Sequence, residues 1–342
     1  LAEIIPEVLK SVASEYGIDN AFTDYHDLLD MAEVEAVSIC TPTAFHAQPT
    51  IDAAKAGKHV LCEKPMAMNY KEAKKMVAAC DKTGVKLGIC SARARTGSYP
   101  INGDIDLARS YMQRLGKIYY TSMSGPSRFR GRPGLDILKD SKWFLDSSKA
   151  GGGVLADLGC YSLDLLLYLM NNPQPVAVSA LTFKGVGKEM KIKETYDVEE
   201  HASLFIRFNE GFATTFDIAN AFNIWRDDLW RDNLLTLTIL GTEGGLKLEG
   251  DLASGRVTFC TEQEEIAEPS DATARERRGR RAISVDLPPS KRNIHEDFVA
   301  ACLENRLPAT PGKEGLKIMQ ITSMAYMSAK LGREVTLRDL ES

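Results

Sequence analysis

The sequence predicts an α/β protein: a doubly wound parallel sheet first, then an α+β domain on an open, mostly antiparallel sheet. Three observations carry this. Over the first hundred residues short apolar runs alternate with helix-length periodic segments, the pattern of strands joined by helical crossovers. After Asp104 the texture changes, and from Val176 to Leu287 alternating strand-like runs dominate. The 342 residues are 44 % hydrophobic, more than one core usually encloses, so two domains are expected: residues 1–103 and 104–342.

The elements follow in order. Pro6 stands where a first helical turn tolerates proline. Val8, Leu9, Val12, Ala13 and Tyr16 form an apolar stripe before the stop signal Gly17. Glu35–Cys40 (EAVSIC) predicts a short buried strand. Thr43 is placed to cap the next helix, which ends at Gly57, and His59–Cys62 (HVLC) predicts the second strand. Asn69 with Glu72 resembles a capping box, and Ala73, Met76, Val77 and Cys80 keep helical spacing before Gly84. Val85–Cys90 (VKLGIC) predicts the third strand. A helix over about 105–114 leads to KIYYTSMSG, a Gly/Pro/Arg-rich loop (GPSRFRGRPG) and a long apolar helix from near Gly153. SLFIRFNEGFATTFDI holds Asn209-Glu210-Gly211 between alternating runs, a hairpin signature, and LLTLTILGTEGGLKLEG reads as another hairpin. Helices over about 293–305 and 313–331 close the chain and are placed to pack back on the first domain.

Composition excludes several classes. A net charge of −5 with 26 % charged residues gives no sign of nucleic-acid binding or a polybasic membrane anchor. No window approaches 18 consecutive apolar residues, so no membrane span is expected. Seven scattered cysteines without CxxC spacing read as reduced thiols of a cytoplasmic protein. Five histidines without HxxxH or HExxH spacing give no metal site. The run Arg275–Arg281 (RERRGRR) reads as a solvated, mobile loop, with a phosphate contact as the alternative.

Ligands of open α/β sheets bind beyond the carboxyl ends of the strands. Thr41-Pro42 follows the first strand there, and Glu63-Lys64-Pro65 follows the second. Lys64 either serves a site or pairs with Glu63 or a nearby acid; a cis Lys64–Pro65 bond would suit a sharp turn. In Gly151–Met170, Asp157, Tyr161, Asp164 and Tyr168 share one stripe of helical spacing. Such groups need polar partners if buried; a solvent-facing stripe is the other reading. The glycine triplet before them allows a close backbone approach. A dinucleotide-binding domain opens with strand, GxGxxG, helix, strand and acid. No GxGxxG occurs in the first hundred residues. On one reading Leu1-Ala2 is the tail of the second strand, Glu3 is the ribose-binding acid, and roughly 30 residues lie ahead of Leu1. On the other, Glu3 is an ordinary exposed acid.

Several stretches together resemble one family. VSICTPTAFHAQPTIDAAKAGKHVLCEKPMAMNYKEAKKMV resembles the signature of the Gfo/Idh/MocA oxidoreductases, the relatives of glucose-fructose oxidoreductase and inositol dehydrogenase. GGGVLADLGCYSLDLLLYL resembles the family's second motif, and ILGTEGGLKLEG and IHEDFVAACLENRLPATPGKEGLKIM resemble its later blocks. The likeness covers essentially the whole chain. It implies a Rossmann-type domain, N-terminally incomplete here, that carries NAD(H) or NADP(H), and then an open-faced sheet. It also implies hydride transfer at a secondary alcohol or ketone of a sugar, polyol or related cyclic substrate.

By motif, Lys64 matches the lysine that family members place near the reacting oxygen and the nicotinamide. Asp157 matches the acid of the second motif. Tyr161 matches a position that most often holds histidine; the glucose-fructose oxidoreductase and dimeric dihydrodiol dehydrogenase branches place tyrosine there. Cys40, Thr41, Pro42 and His46 match the loop lining the cofactor, and Glu63, Lys64 and Pro65 its neighbour. The match in register also favours Glu3 as the ribose acid and hence NAD, because an acid there repels a 2′-phosphate. Trp143 and the loop SRFRGRPGLD, with Arg128, are placed to shape the substrate pocket.

On this reading Tyr161 relays the hydroxyl proton while Lys64 holds the developing oxyanion. The ammonium would favour phenolate. Asp157 would orient a substrate hydroxyl or Lys64. The partner is a small sugar- or polyol-like molecule, and a homodimer or homotetramer is expected. The alternatives are an NADP-dependent aldose or trans-dihydrodiol reductase and a non-catalytic metabolite-sensing module.

Overall fold

Leu1–Glu3 runs parallel beside Phe22: Glu3 N–H donates to the Phe22 carbonyl (3.0 Å) and Phe22 N–H to that of Leu1 (2.9 Å). The structure, a computed structural model, describes residues 1–125, 141–185, 195–220, 235–261, 273–277, 280–290 and 293–342. Its first part is α1 (Pro6–Tyr16), α2 (Tyr25–Leu29), β1 (Ala36–Ile39), α3 (Ala47–Lys55), β2 (His59–Cys62), α4 (Tyr70–Thr83) and β3 (Leu87–Ile89). The strands form a parallel sheet in the order β1-β2-β3, with Ile39 opposite Cys62 and Cys62 opposite Ile89. All three carboxyl ends therefore meet along one edge. Ala54, Val60, Cys62 and Met76 fill the core beneath them.

Local signals acted much as expected. Gly17 and Gly84 take left-handed conformations where α1 and α4 stop. Asn69 caps α4 by accepting the Glu72 N–H (3.0 Å), but Glu72 accepts from Met68 N–H (3.3 Å), so the box is only half formed. Three expectations fail here. The strand expected to be buried over Glu35–Cys40 is not: Ala36 and Ser38 of β1 are exposed and only Ile39 is buried. Thr43 does not cap a helix: residues Thr43–Phe45 form a 3₁₀ turn, and α3 starts at Ala47 without a side-chain cap. On α1 only Leu9 is buried, while Val8 and Tyr16 stand exposed, because nothing among the described residues covers that stripe.

The second part begins with α5 (Ile105–Tyr111), β4 (Ile118–Ser124), α6 (Ser147–Ala150), α7 (Val154–Asp157) and α8 (Gly159–Leu169). The strands β5 (Pro175–Phe183), β6 (His201–Phe208), β7 (Ala213–Ala219), β8 (Leu235–Gly241), β9 (Gly244–Gly250), β10 (Gly255–Thr261), β11 (Thr273–Arg277) and β12 (Arg280–Asp286) follow. The chain ends with α9 (Ile294–Leu303), α10 (Gly312–Leu331), β13 (Val335–Thr336) and α11 (Leu337–Glu341). The sheet order is β11-β12-β10-β9-β8-β4-β7-β6-β5-β13, and only β4 and β7 pair in parallel. Burial alternates along β6 and β8, as a sheet with one covered face requires. Leu204, Ile206, Phe216, Leu237 and Phe259 point into the core with α8, while α10 packs against β5, α4 and β3. Among the described residues no single helix is long and apolar enough to cross a membrane.

Two further expectations need correction. The long apolar helix is two helices: the Ser147–Asp157 and Gly159–Leu169 segments meet at 48°. The first turn of α7 is held by Glu199, whose carboxylate oxygens accept from Gly153 and Leu155 N–H. The arginine-rich run is not a loop: β11 and β12 pair through it, Arg277 opposite Arg280, because β12 offers β11 a free edge.

The two sheets are fastened at Arg95, just past β3. Its Nε donates to Asp164 of α8 (2.7 Å), and its Nη1 donates to the Ala309 carbonyl (2.8 Å) and to Glu314 of α10. Thr310 donates to the other Asp164 oxygen (2.7 Å). Arg95 and Asp164 are both buried. Replacing Arg95 with alanine leaves a buried carboxylate unpaired, which should cost about 3–5 kcal/mol. Urea unfolding measures this, and a loss below about 1 kcal/mol would show that the cluster does not fasten the sheets.

Candidate active site

The Lys64 turn is built by backbone constraints. Glu63 N–H continues the sheet by donating to Ile39 (2.9 Å), and the Lys64–Pro65 peptide is cis. His46, 1 % exposed, sits between this turn and the loop after β1. Its Nδ1 lies 2.9 Å from the Pro65 carbonyl and its Nε2 2.7 Å from that of Thr41. Both carbonyls would favour an imidazolium, but burial outweighs them and holds the pKa below the ordinary value. The ring is committed to joining two strand-end loops.

Lys64 Nζ lies 2.5 Å from Asp157 Oδ1 and 3.2 Å from the Asp157 carbonyl. The two side chains are 12 % and 10 % exposed. Burial pulls the lysine pKa down, but the Asp157 carboxylate heads the contributions that reverse this, and the ammonium is held above its usual range. The Tyr161 ring centroid is 5.2 Å from Nζ and the Phe144 centroid 5.8 Å.

Tyr161, 5 % exposed, packs its ring against Tyr99 at 4.6 Å. Its hydroxyl accepts from Arg93 Nη1 (2.9 Å), and Arg93 Nη2 donates to Glu63 Oε1 (2.6 Å). Glu63 Oε2 accepts the Lys64 N–H (3.0 Å). Burial raises the Glu63 pKa, yet Arg93 outweighs it and keeps the carboxyl below its ordinary value. Tyr161 goes the other way. Burial raises its pKa, and the nearby Lys64 and Arg93 only partly oppose this. Lys64 does pull Tyr161 toward phenolate, as expected, but desolvation outweighs it and the net effect favours the phenol.

The stripe of α7 and α8 faces protein, not solvent. Asp157 meets Lys64, Tyr161 meets Arg93, Asp164 meets Arg95, and Tyr168 donates to Asp106 (2.5 Å). Trp143 stacks on Phe144 at 3.8 Å and reaches the site through that ring. Cys40 and Thr41 are exposed and Pro42 half-buried at the end of β1. Glu3 is half-buried and accepts from Ile5 N–H (2.9 Å). Arg128 and the SRFRGRPGLD loop lie outside the described residues. Sequence reasoning missed Arg93, Tyr99 and Phe144. Arg93 was findable, because it follows the third strand as Lys64 follows the second.

Residues 1–90 match an oxidoreductase family with an NAD-binding Rossmann fold, and residues 111–247 match the GFO/IDH/MocA C-terminal domain. The chain is 30 % identical to a 1,5-anhydro-D-fructose reductase of Ensifer adhaerens, over 60 % of this chain and 58 % of that protein. It is 29 % identical to a D-glucoside 3-dehydrogenase of Escherichia coli, over 70 % of this chain and 66 % of that protein. The matched stretches thus span less than two thirds of either relative's length. Among solved structures, an aldose-aldose oxidoreductase from Caulobacter crescentus, complexed with glycerol, superposes with a TM-score of 0.70 at 26 % identity, covering 98 % of this chain and 90 % of that one. With the family's N-terminal and C-terminal domain models both matched, and the parallel and open sheets in sequence, the chain belongs to the Gfo/Idh/MocA family of oxidoreductases.

Proposed function

We propose that this protein transfers a hydride between a nicotinamide cofactor and a secondary alcohol or ketone of a sugar, polyol or related cyclic substrate. The observation that carries the reading is Lys64, delivered by a parallel strand end and held by Asp157 at 2.5 Å beside Tyr161. On this reading residues 1–103 hold the cofactor and 104–342 the substrate.

The residues present suit a nicotinamide nucleotide at the strand-end edge. The loop after β1 exposes Thr41 and the flat ring of Phe45, and Glu3 offers a half-buried carboxylate. Cys40, Thr41, Pro42, Glu63, Lys64 and Pro65 would line it, with His46 fixing the loop. Bound nicotinamide supplies the hydride donor or acceptor. Lys64, held cationic, stabilises negative charge on the substrate oxygen. Asp157 keeps that ammonium in place. Tyr161, held as a phenol with its oxygen accepting from Arg93, has its own proton to give to a carbonyl oxygen. The resting site therefore suits reduction, and oxidation first requires Tyr161 to lose its proton. Trp143, behind Phe144, closes one side.

Glu3 favours NAD over NADP. The open face of the larger sheet carries exposed Leu181, Phe183 and Phe205, which supports a homodimer or homotetramer. Seven unpaired cysteines support a cytoplasmic setting.

Sugars, polyols and dihydrodiols offered to the full-length protein with NAD⁺ and NADP⁺ should give nicotinamide absorbance changes. Replacement of Lys64 by alanine should cut turnover about 10²–10⁴-fold. Cofactor binding without turnover on any substrate would point instead to a sensing module. Because the Tyr161 pKa is raised, the phenolate fraction is small at neutral pH and grows tenfold per pH unit. Oxidation should therefore keep accelerating beyond pH 9, and Tyr161→Phe should abolish that climb. A plateau near neutrality would remove Tyr161 as the proton carrier. Glu3→Ala should shift preference toward NADP, whereas equal loss of both cofactors would deny Glu3 its role in the choice. Light scattering should give twice or four times the chain mass; a monomer would contradict the assembly.

A further inference from the structure

We propose that Glu199 is a positioning residue: it fixes the first turn of α7 and thereby sets where Asp157 meets Lys64. The inference deepens the functional reading above and rests on it for its importance to turnover.

α7 has four residues, too few to be stable alone. Its first N–H groups have no partner within the helix. Glu199, 7 % exposed, supplies them from the segment that leads into β6. Its Oε2 accepts from Gly153 N–H (2.7 Å), its Oε1 from Leu155 N–H (3.0 Å), and its backbone carbonyl from Val154 N–H (3.1 Å). Tyr326 of α10 donates to the same Oε1 (2.9 Å) and ties the carboxylate to the helix that bridges both sheets.

The glycine triplet has its explanation here. A Cβ on Gly153 would lie 1.9 Å from the Glu199 carbonyl, and one on Gly152 would lie 2.0 Å from the Tyr326 hydroxyl. The close approach that the triplet permits is to the protein's own Glu199 and Tyr326. One turn later, Asp157 N–H donates back to the Gly153 carbonyl (2.9 Å). The position of Gly153 therefore sets that of Asp157. Lys64 is bound by both the carboxylate and the carbonyl of Asp157, so a displaced turn removes two partners at once.

Lys64 reports this without any substrate. Asp157, Tyr161, Cys160 and Phe144 surround its ammonium, with Glu63 and Arg93 alongside. Of these, Asp157 depends on the Glu199 anchor for its place. If Asp157 is displaced, burial of Lys64 is opposed less, and more of the amine is neutral and reactive. Acetic anhydride labelling of the full chain between pH 7 and 11, read by mass spectrometry against exposed Lys10, measures that fraction.

Glu199→Gln should raise Lys64 labelling about tenfold at a given pH, as a pKa lower by about one would do. Asp157→Asn should act alike, and the double variant should add little. Wild-type labelling in a folded Glu199→Gln protein, or full multiplication of the two effects, would overturn the proposal. If Glu199→Gln does not fold, Tyr326→Phe decides: it should raise labelling in the same direction, and unchanged labelling would overturn the proposal. A positive labelling result with no turnover on any polyol would sink the proposed activity and leave the positioning role standing.

Discussion

Lys64 reaches Asp157 across 93 positions of sequence and across the gap between two sheets. A lysine ammonium that is nearly buried would shed its proton without a partner. A carboxylate as deeply placed would be equally costly alone. Each makes the other tolerable, and the geometry of both sheets is committed to bringing them together. The parallel sheet contributes the strand end, the cis turn and the His46 pin. The larger sheet contributes the short helix that ends in Asp157.

The fastening of the sheets lies close by. Arg95 follows Arg93 by two residues in the same turn after β3. One arginine faces the site, while the other holds α8 and α10 against the turn. The candidate site and the brace are therefore neighbours in one turn. A buried charged cluster is a weak source of net stability, but it admits few alternative packings, and here it fixes the orientation of α8 beneath the site.

What could be read from the sequence divides along a physical line. The parallel strands, the hairpin at Gly211 and the helix stops at Gly17 and Gly84 depend on residues near in sequence, and they were readable. So was the strand end that presents Lys64. The separate setting of α7 was not, because the Glu199 carboxylate that holds its first turn is 44 and 46 positions from the groups it binds. The net rise of the Tyr161 pKa was out of reach for a related reason. Proximity to Lys64 could be inferred from the family resemblance, but the depth of burial that overrides it could not. β13 is two residues long, too short to carry a period, and only the Thr336–Asp339 capping box beside it was there to be read.

The pairing of Lys64 with Asp157 and of Arg93 with Glu63 has a consequence for what can dwell between them. Two cations and two carboxylates cancel, so this cluster presents alternating donors and acceptors with almost no long-range field. An ion gains little from approaching such a surface, because every favourable contact brings an unfavourable one within a few ångströms. On the proposed function, a molecule bearing many hydroxyls, each able both to give and to accept, would match that mosaic without carrying any charge itself. Its retention would be governed by the angles of hydrogen bonds, and added salt would change it little.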